Sequence, residues 1–595
     1  MDVNNIPELF FNTCERFNKK NAVMFKKDGE YVSVSHDFFK QRVIHFGRGL
    51  LALGLEPNDK IGLLSETRFE WIISDMATLC AGGVVVPLYP SLPPDDVSYI
   101  LEDSDAKGVI VSNLEQLEKI EQIRPKLPQL KFVICMDPEG DLEAPFHSMA
   151  DIETLGHQTD NESELRERWS NKTRDDLLTI IYTSGTTGRP KGVMLTHGNL
   201  LSNVEGALEV APVGDDDICL SHLPLSHVFE RMAGYYLMVA GGVTIAYAED
   251  ITTLSTNLAE VKPTIMVSVP RLFEKIYARM INQVEQGSFL KKKIFYWALG
   301  VAREALPYLT ENKPLPFVLG TKYALGNKLV FGKIREKTGG RLKYMISGGA
   351  ALPKEIGQVF LGIGLKILEG YGLTETSPVL CVNRPEKIKP GYVGPVIKDV
   401  QVKIAEDGEI IAKGPNIMTG YYNNEAATKE AFTEDGWFKT GDIGEFDSDG
   451  YLKITDRKKE LLVTSGGKNV APQPLENAIK FSQYIEQCVV IGDGQKFISA
   501  LVVPPWETIE DWAPRNGWET DPEVLVKNKD FFAKVEKDIH RLQKDFARYE
   551  QVKKFAILPE YLTEERGELT PSLKLKRKVI NANYADTIAS FYQEG

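Results

Sequence analysis

The sequence predicts an α/β protein: a large layered α/β domain, a small β-rich subdomain near its end, and a smaller α+β domain at the C-terminus. Short β-branched runs alternate with stretches of helical period up to about Tyr392, the pattern of parallel strands joined by crossover helices. After Tyr392 the texture changes to short alternating strands broken by Asp407-Gly408 and Asp449-Gly450, dipeptides suited to tight hairpins. Beyond the charged run Asp456–Glu460, the tail has strands and helices of its own. At 595 residues the chain exceeds what one core fills. The expected division is 1–455, with 392–455 as the β-rich subdomain, then 456–460 as a connection and 461–595 as the smaller domain.

Apolar residues at helical spacing predict helices over Phe38–Leu53, Phe69–Ala81 and Val97–Asp103. Buried β-branched runs predict strands at Lys60–Leu64, Gly83–Leu88, Gly108–Ser112 and Phe132–Met136. Asp141–Arg174 is acidic and poorly periodic, and reads as a surface connection. A second α/β set follows: strands Leu177–Tyr182, Ile218–Leu223, Val243–Ala246 and Ile265–Val269, with a helix over Arg231–Val239. Pro270–Lys343 is aromatic, basic and mostly helical in pattern. Strands Lys343–Ile346 and Lys366–Glu369 flank a helix at Pro353–Gly362, and the tail holds strands Gln487–Ile491 and Ile498–Val503.

Composition narrows the function classes. A hydrophobic fraction of 43% and a charged fraction of 26% are ordinary for a soluble globular protein. A net charge of -13 argues against nucleic acid as a partner, so an anionic substrate needs a few locally placed cations. The six cysteines have no metal-binding spacing and read as buried or free thiols in a reducing compartment. Met1-Asp-Val-Asn-Asn lacks a basic flank followed by an apolar stretch, so no signal peptide and a cytoplasmic location are expected. The most apolar windows, Ala77–Tyr89 and Tyr235–Ala248, each fall short of the ~20 residues a membrane span needs.

The chemistry is concentrated in one loop, Tyr182-Thr-Ser-Gly-Thr-Thr-Gly-Arg-Pro-Lys-Gly-Val193, directly after a strand. Glycines let backbone N–H groups face a polyphosphate, hydroxyls add hydrogen bonds, and Lys191 supplies charge. It is not a Walker A loop, because Pro190 precedes the lysine and Gly192 follows it. The loop resembles the signature of the adenylate-forming superfamily, and specifically of its AMP-forming acyl-CoA synthetases. Further blocks in family order support the resemblance: Leu223–Arg231, Ser347–Pro353, Glu369–Ser377, Gly436–Asp442, Thr455–Glu460, Thr464–Ala471 and Leu569–Arg577.

The resemblance implies roles residue by residue. Thr183, Ser184, Gly185, Thr186, Thr187, Gly188 and Lys191 would hold the phosphates, and His227 would lie near the acyl carboxylate. Gly348, Gly349 and Ala350 would run along the adenine, with Tyr371 stacked on it beside Gly372. Thr374 would contact the α-phosphate, while Glu375 and Thr183 would bind Mg²⁺. Asp442 would accept from the ribose hydroxyls and Arg457 would contact the nucleotide. Lys459 falls at the hinge that makes the C-terminal domain mobile, and Ser465, Gly466, Gly467 and Lys468 at a CoA-side loop. Lys574 matches the adenylation lysine although Leu573 stands where many members have glycine, and Lys576 is the lesser candidate.

The implied reaction is ATP-dependent activation of an acid as acyl-AMP, then transfer to coenzyme A. Ser268–Tyr277 and the aromatic insertion to Lys343 look like the long-chain fatty acid–CoA ligase subgroup, the insertion lining an apolar tunnel. Arg231 falls where some long-chain members carry a tryptophan gate, which this chain lacks. Phe289–Ala298 reads first as an ordinary packed helix and secondarily as a basic amphipathic membrane contact. An acyl carrier protein as acceptor is the alternative within the superfamily. A catalytically silent scaffold would have lost its charged positions, yet Lys191, Glu375, Asp442, Arg457 and Lys574 are all present.

Overall fold

The computed structural model describes residues 2–593 apart from 139, 141, 143, 144, 184–188, 251, 459 and 571–573. Two eight-stranded sheets dominate it. One runs in the order Val379–Val382, Ile367–Gly372, Tyr344–Ser347, Ile265–Ser268, Ile218–Ser221, Thr244–Tyr247, Val23–Lys27, Glu30–Val34. Its six inner strands are parallel, and the strand at each edge is antiparallel to its neighbour. The other runs Gly420–Tyr421, Lys191–Thr196, Leu177–Thr183, Val84–Leu88, Lys60–Leu64, Ala106–Val111, Phe132–Cys135, Phe146–Ser148. The β-branched runs form strands because both faces are covered, so every side chain of Val84–Leu88 is buried. One apolar core takes inward residues from both sheets, among them Ile61, Val85, Leu178, Cys219, Ile245 and Val267.

The stretch read as a surface connection is instead structured. Strand Phe146–Ser148 and helices Met149–Gln158 and Glu162–Ser170 occupy it. The first helix sits against His36–Ala52 so closely that a Cβ on Gly156 would lie 1.8 Å from the His45 carbonyl oxygen. Glycine at that contact, with buried Met149 and Ile152, holds an element whose acidic composition hides its periodicity. The helix expected over Arg231–Val239 begins at Val228, and Glu230–Tyr236 within it is a π-helix before an α-turn at Leu237–Ala240. The apolar windows Ala77–Tyr89 and Tyr235–Ala248 fall on buried core elements, and no described helix is long and apolar enough to cross a membrane.

Gln401–Ile404, Glu409–Lys413, Phe438–Phe446 and Leu452–Arg457 form a four-stranded antiparallel sheet, with Gly408 and Gly450 at positive φ in its turns. Pro270–Glu285, Phe289–Leu309 and Phe317–Gly326 make the insertion helical. From Leu462 onward a separate core gathers Leu475, Trp512 and Phe531 around strands Gln487–Ile491, Ile498–Val503 and Val552–Ile557. All six cysteines are buried free thiols.

Candidate active site

A cleft of about 1770 Å³ opens between the carboxyl ends of the sheet strands and the C-terminal region. That is where open α/β sheets place ligands. Strand Ile367–Gly372 brings Tyr371 to it, and the short turn Thr374–Thr376 sets Glu375 just beyond. Gly372 is required for this exit: a Cβ there would lie 1.7 Å from the Pro378 carbonyl oxygen. Gly348 follows the adjacent strand and leaves room for Phe229, whose ring would meet a Cβ at 2.8 Å.

The antiparallel sheet contributes two residues directly opposite each other. Asp442 and Arg457 are register partners on Phe438–Phe446 and Leu452–Arg457. Buried Asp442 accepts from Tyr371 Oη at 2.7 Å on Oδ2, and Arg457 Nε lies 3.2 Å from Oδ1. The pair therefore fixes the tyrosine ring at one wall of the cleft.

Glu375 Oε1 accepts from Tyr421 Oη at 2.9 Å, and the Glu375 carbonyl accepts from Met418 N–H at 2.8 Å. Lys191 Nζ sits 5.0 Å from the centre of the same Tyr421 ring. Tyr421 reaches both because Gly420–Tyr421 pairs with Val193 and Met194, one strand from the loop. Thr183 and Lys191 face each other across the antiparallel pairing that brackets the loop, and both line the cleft. Ser184, Gly185, Thr186, Thr187 and Gly188, and the hinge candidate Lys459, lie outside the described residues.

His227 is half-buried, and desolvation of its ring, aided by the charge of Lys574, pushes its pKa down to about 4. Its Nδ1 accepts from Phe229 N–H at 3.1 Å, so the neutral ring carries its hydrogen on Nε2. Lys574 exposes its side chain to the interior of the cleft. The surrounding walls and then Arg457 push it down to about 8, against the pull of Asp442, Glu375 and Glu460. Lys576 is not part of the lining.

The cleft thus gathers Thr183, Lys191, His227, Gly348, Gly349, Ala350, Tyr371, Gly372, Thr374, Glu375, Asp442, Arg457 and Lys574. It does not gather Ser465, Gly466, Gly467 and Lys468, which form an exposed turn between Leu462–Val463 and Asn469–Val470. The apolar part of the lining includes Ala207, Ala211, Met232, Ala233, Leu237 and Ile346. The insertion adds Tyr277, Ala278 and Ile281, so the expectation that it supplies the lining holds only in part. Arg231 is outside the lining: fully buried, it is ion-paired to Asp75 and donates to Tyr236 Oη at 3.0 Å and Thr179 Oγ1 at 2.7 Å. Neither Tyr421 nor this network was legible beforehand, since their partners are far away in sequence.

A family model described as AMP-binding enzyme matches residues 10–422, and one for the AMP-binding enzyme C-terminal domain matches 459–595. The chain belongs to the AMP-binding enzyme family. Among curated AMP-binding relatives, long-chain-fatty-acid–CoA ligase FadD15 of Mycobacterium bovis is 37% identical over 576 residues, 95% of this chain and 93% of that protein. Long-chain-fatty-acid–CoA ligase ACSBG2 of Xenopus laevis is 32% identical over 624 residues, 99% of this chain and 84% of its own. Among solved structures, the anthranilate CoA ligase AuaEII with anthranoyl-AMP superposes with a TM-score of 0.74 at 19% identity, covering 99% of both chains. ATP-bound MatB from Rhodopseudomonas palustris gives 0.70 at 23% identity, covering 98% of this chain and 100% of that one. These two likenesses establish the shared AMP-binding enzyme fold: a large N-terminal α/β part and a smaller C-terminal domain.

Proposed function

We propose that the protein is an AMP-forming long-chain fatty acid–CoA ligase, making acyl-CoA, AMP and pyrophosphate through an acyl-AMP intermediate. The observation that carries this is the meeting, in one cleft, of Lys574, the Tyr371–Asp442–Arg457 cradle and apolar lining residues such as Met232, Leu237 and Ile346. Nucleotide, negative charge and alkyl chain each have a complementary wall. The ligase names of relatives aligned along nearly the whole chain support the fatty acid and CoA.

In the first step a carboxylate oxygen attacks the α-phosphorus, the bond to the bridging oxygen breaks, and pyrophosphate leaves. Tyr371, with Gly348–Ala350, holds adenine; Asp442 accepts from the ribose; Thr374 donates to the α-phosphate, and Lys574 neutralises charge shared by carboxylate and α-phosphate. Lys191 and the loop 184–188 grip the departing phosphates. His227, neutral and donating from Nε2, orients the carboxylate. In the second step the CoA sulfur attacks the acyl carbon, the thiol proton passes to solvent, and AMP leaves with its phosphate oxygen. Lys574 sits in the cleft while Ser465–Lys468 stand outside, an arrangement suited to the first step. Rotation about Lys459, between a domain 1–455 and a domain 461–595, would exchange them.

Glu375 fits a Mg²⁺ site shared with substrate phosphates, with Thr183 across the loop as the second candidate ligand. One of its oxygens is fixed by Tyr421, and among the described residues the other takes no hydrogen bond. Mg²⁺ is commonly held by one or two carboxylates together with substrate phosphates and water, which a single placed glutamate can serve. Bound there, Mg²⁺ would screen the phosphate charge.

Peripheral membrane contact is the second part of the proposal. Phe289 is 82% exposed and Phe317 86%, with Leu290 and Val318 beside them and Lys291 and Lys293 exposed. Flotation with anionic vesicles, with and without those lysines, tests it. For the reaction, pyrophosphate release is measured against acids of increasing length, and thioester formation with both CoA and acyl carrier protein. Release that does not depend on the acid would overturn the reading.

A further inference from the structure

The C-terminal domain meets the insertion along a seam that the proposed mechanism does not use. Arg271, Glu274 and Lys275 share one face of helix Pro270–Glu285, at the i, i+3 and i+4 spacing of neighbours. Each meets an opposite charge across the seam. Arg271 Nη2 lies 3.2 Å from Glu486 Oε1, Glu274 Oε1 3.8 Å from Lys480 Nζ, and Lys275 Nζ 3.5 Å from Glu507 Oε2. Tyr561 Oη donates to Glu486 Oε2 at 2.9 Å, so that carboxylate is aimed at Arg271 from within its own domain. Signs alternate along the helix, and a slip that set Glu274 against Glu486 would bring like charges together.

Tyr277 lies beside the three charges and stacks on Phe481, with ring centres 5.1 Å apart and planes 21° from parallel. Phe481 follows helix Pro472–Ile479 of the C-terminal domain, yet it packs against the apolar cluster of Phe273, Phe295 and Phe360 outside that domain. Arg271, Glu274, Lys275, Tyr277, Phe481 and Glu486 all line the cleft that holds Lys574. The seam is therefore one wall of that cleft. Partly exposed ion pairs each contribute little, but four contacts on one helix act together, and the aromatic stack adds apolar area.

We propose that helix Pro270–Glu285 is the docking surface that seats the C-terminal domain for the first half-reaction, with Arg271, Glu274 and Tyr277 as positioning residues for Lys574. The inference rests on the ligase reading above and adds to it what holds the domain in place before it rotates. These residues touch no reacting atom. They raise the fraction of molecules in which Lys574 is in the cleft, and the same contacts must part before Ser465–Lys468 can enter.

The test is two single-turnover rates: pyrophosphate release with saturating ATP and hexadecanoic acid, and thioester formation from supplied hexadecanoyl-AMP and CoA. They are measured for the protein itself, for Arg271→Glu, for Arg271→Glu with Glu486→Arg, and for Phe481→Ala, which changes no charge. Arg271→Glu and Phe481→Ala should each lower the first rate roughly tenfold, as a shifted two-state equilibrium does, and leave the second equal or faster. The double reversal should restore most of the first rate, which a general loss of folded enzyme cannot do. Two rates that fall together, two rates that do not change, or a double reversal no better than Arg271→Glu would overturn the seating role and leave the ligase reading intact. Absence of pyrophosphate release from the protein itself with every acid would instead overturn the ligase reading.

Discussion

Tyr421 donates its phenolic hydrogen to Glu375 across 2.9 Å while Lys191 rests against its ring, so one side chain aligns the candidate metal ligand and the candidate phosphate cation. A ligating carboxylate left without its supporting hydrogen bond is free to rotate. Tyr421→Phe keeps the ring for Lys191 and removes only the donor. It should weaken the Mg²⁺ dependence of pyrophosphate release roughly 10–100-fold, as outer-shell losses at metal sites do. A Mg²⁺ titration at saturating ATP checks this. An unchanged titration would mean that Glu375 is oriented by its backbone alone.

On the proposed mechanism Lys574 serves the first half-reaction and not the second. Lys574→Ala should lower adenylation by roughly 10²–10³-fold, the cost of removing one placed charge-stabilising group. Thioester formation from supplied acyl-AMP should be spared. The walls and Arg457 hold the lysine near 8, so it is charged below that pH and loses its proton as the pH rises through it. Adenylation should therefore fall above about pH 8, and Lys574→Arg should move that limb upward, since a guanidinium stays charged. Equal loss of both half-reactions would overturn the assignment.

The parts of the fold that were legible share one property: their signal is local. Lys60–Leu64, Gln487–Ile491 and Ile498–Val503 are runs whose burial on both faces is written in consecutive residues. Met149–Gln158 was not legible because its identity as a helix depends on Gly156 fitting against His45, a contact made only once the chain has folded. The same holds at the site. Tyr371, Glu375 and Asp442 sit in recognisable strings, whereas Tyr421 has no motif and gains its meaning from strand pairing with Val193.

Arg231, at the position where the resemblance implied a gate, is a core residue. With Asp75, Tyr236 and Thr179 around it, the guanidinium is satisfied inside the core and has no freedom to gate the cleft. Removing one partner leaves a buried charge uncompensated. Asp75→Ala should destabilise the protein by about 3–5 kcal/mol, read as a shift in the denaturation midpoint. The paired replacement Asp75→Leu with Arg231→Met should recover most of that loss, because two apolar side chains need no counter-charge. Acyl chain-length preference should change little in the paired variant. A marked change would return the position to the role of a gate.

Three histidines whose rings the fold desolvates, buried His197 and half-buried His222 and His227, set the acid limit of the fold. Burial lowers His197 to about 3 and both His222 and His227 to about 4. Each is held as the neutral ring: His197 Nδ1 accepts from Ile6 N–H at 3.2 Å, and His222 Nε2 lies 3.2 Å from Ser268 Oγ. In the unfolded chain all three take up a proton near pH 6.5. The unfolded state then binds more protons than the folded one between that pH and the folded values, so stability falls as pH falls through this window. Each histidine contributes about 1.4 kcal/mol per pH unit once well below 6.5. Denaturation midpoints from pH 7.5 down to 4.5 should drop steeply below about 6. His197→Gln, the substitution farthest from the cleft chemistry, should flatten the slope by about one proton without changing the pH dependence of adenylation. A slope unaffected by that change would mean His197 titrates normally and is reached by water.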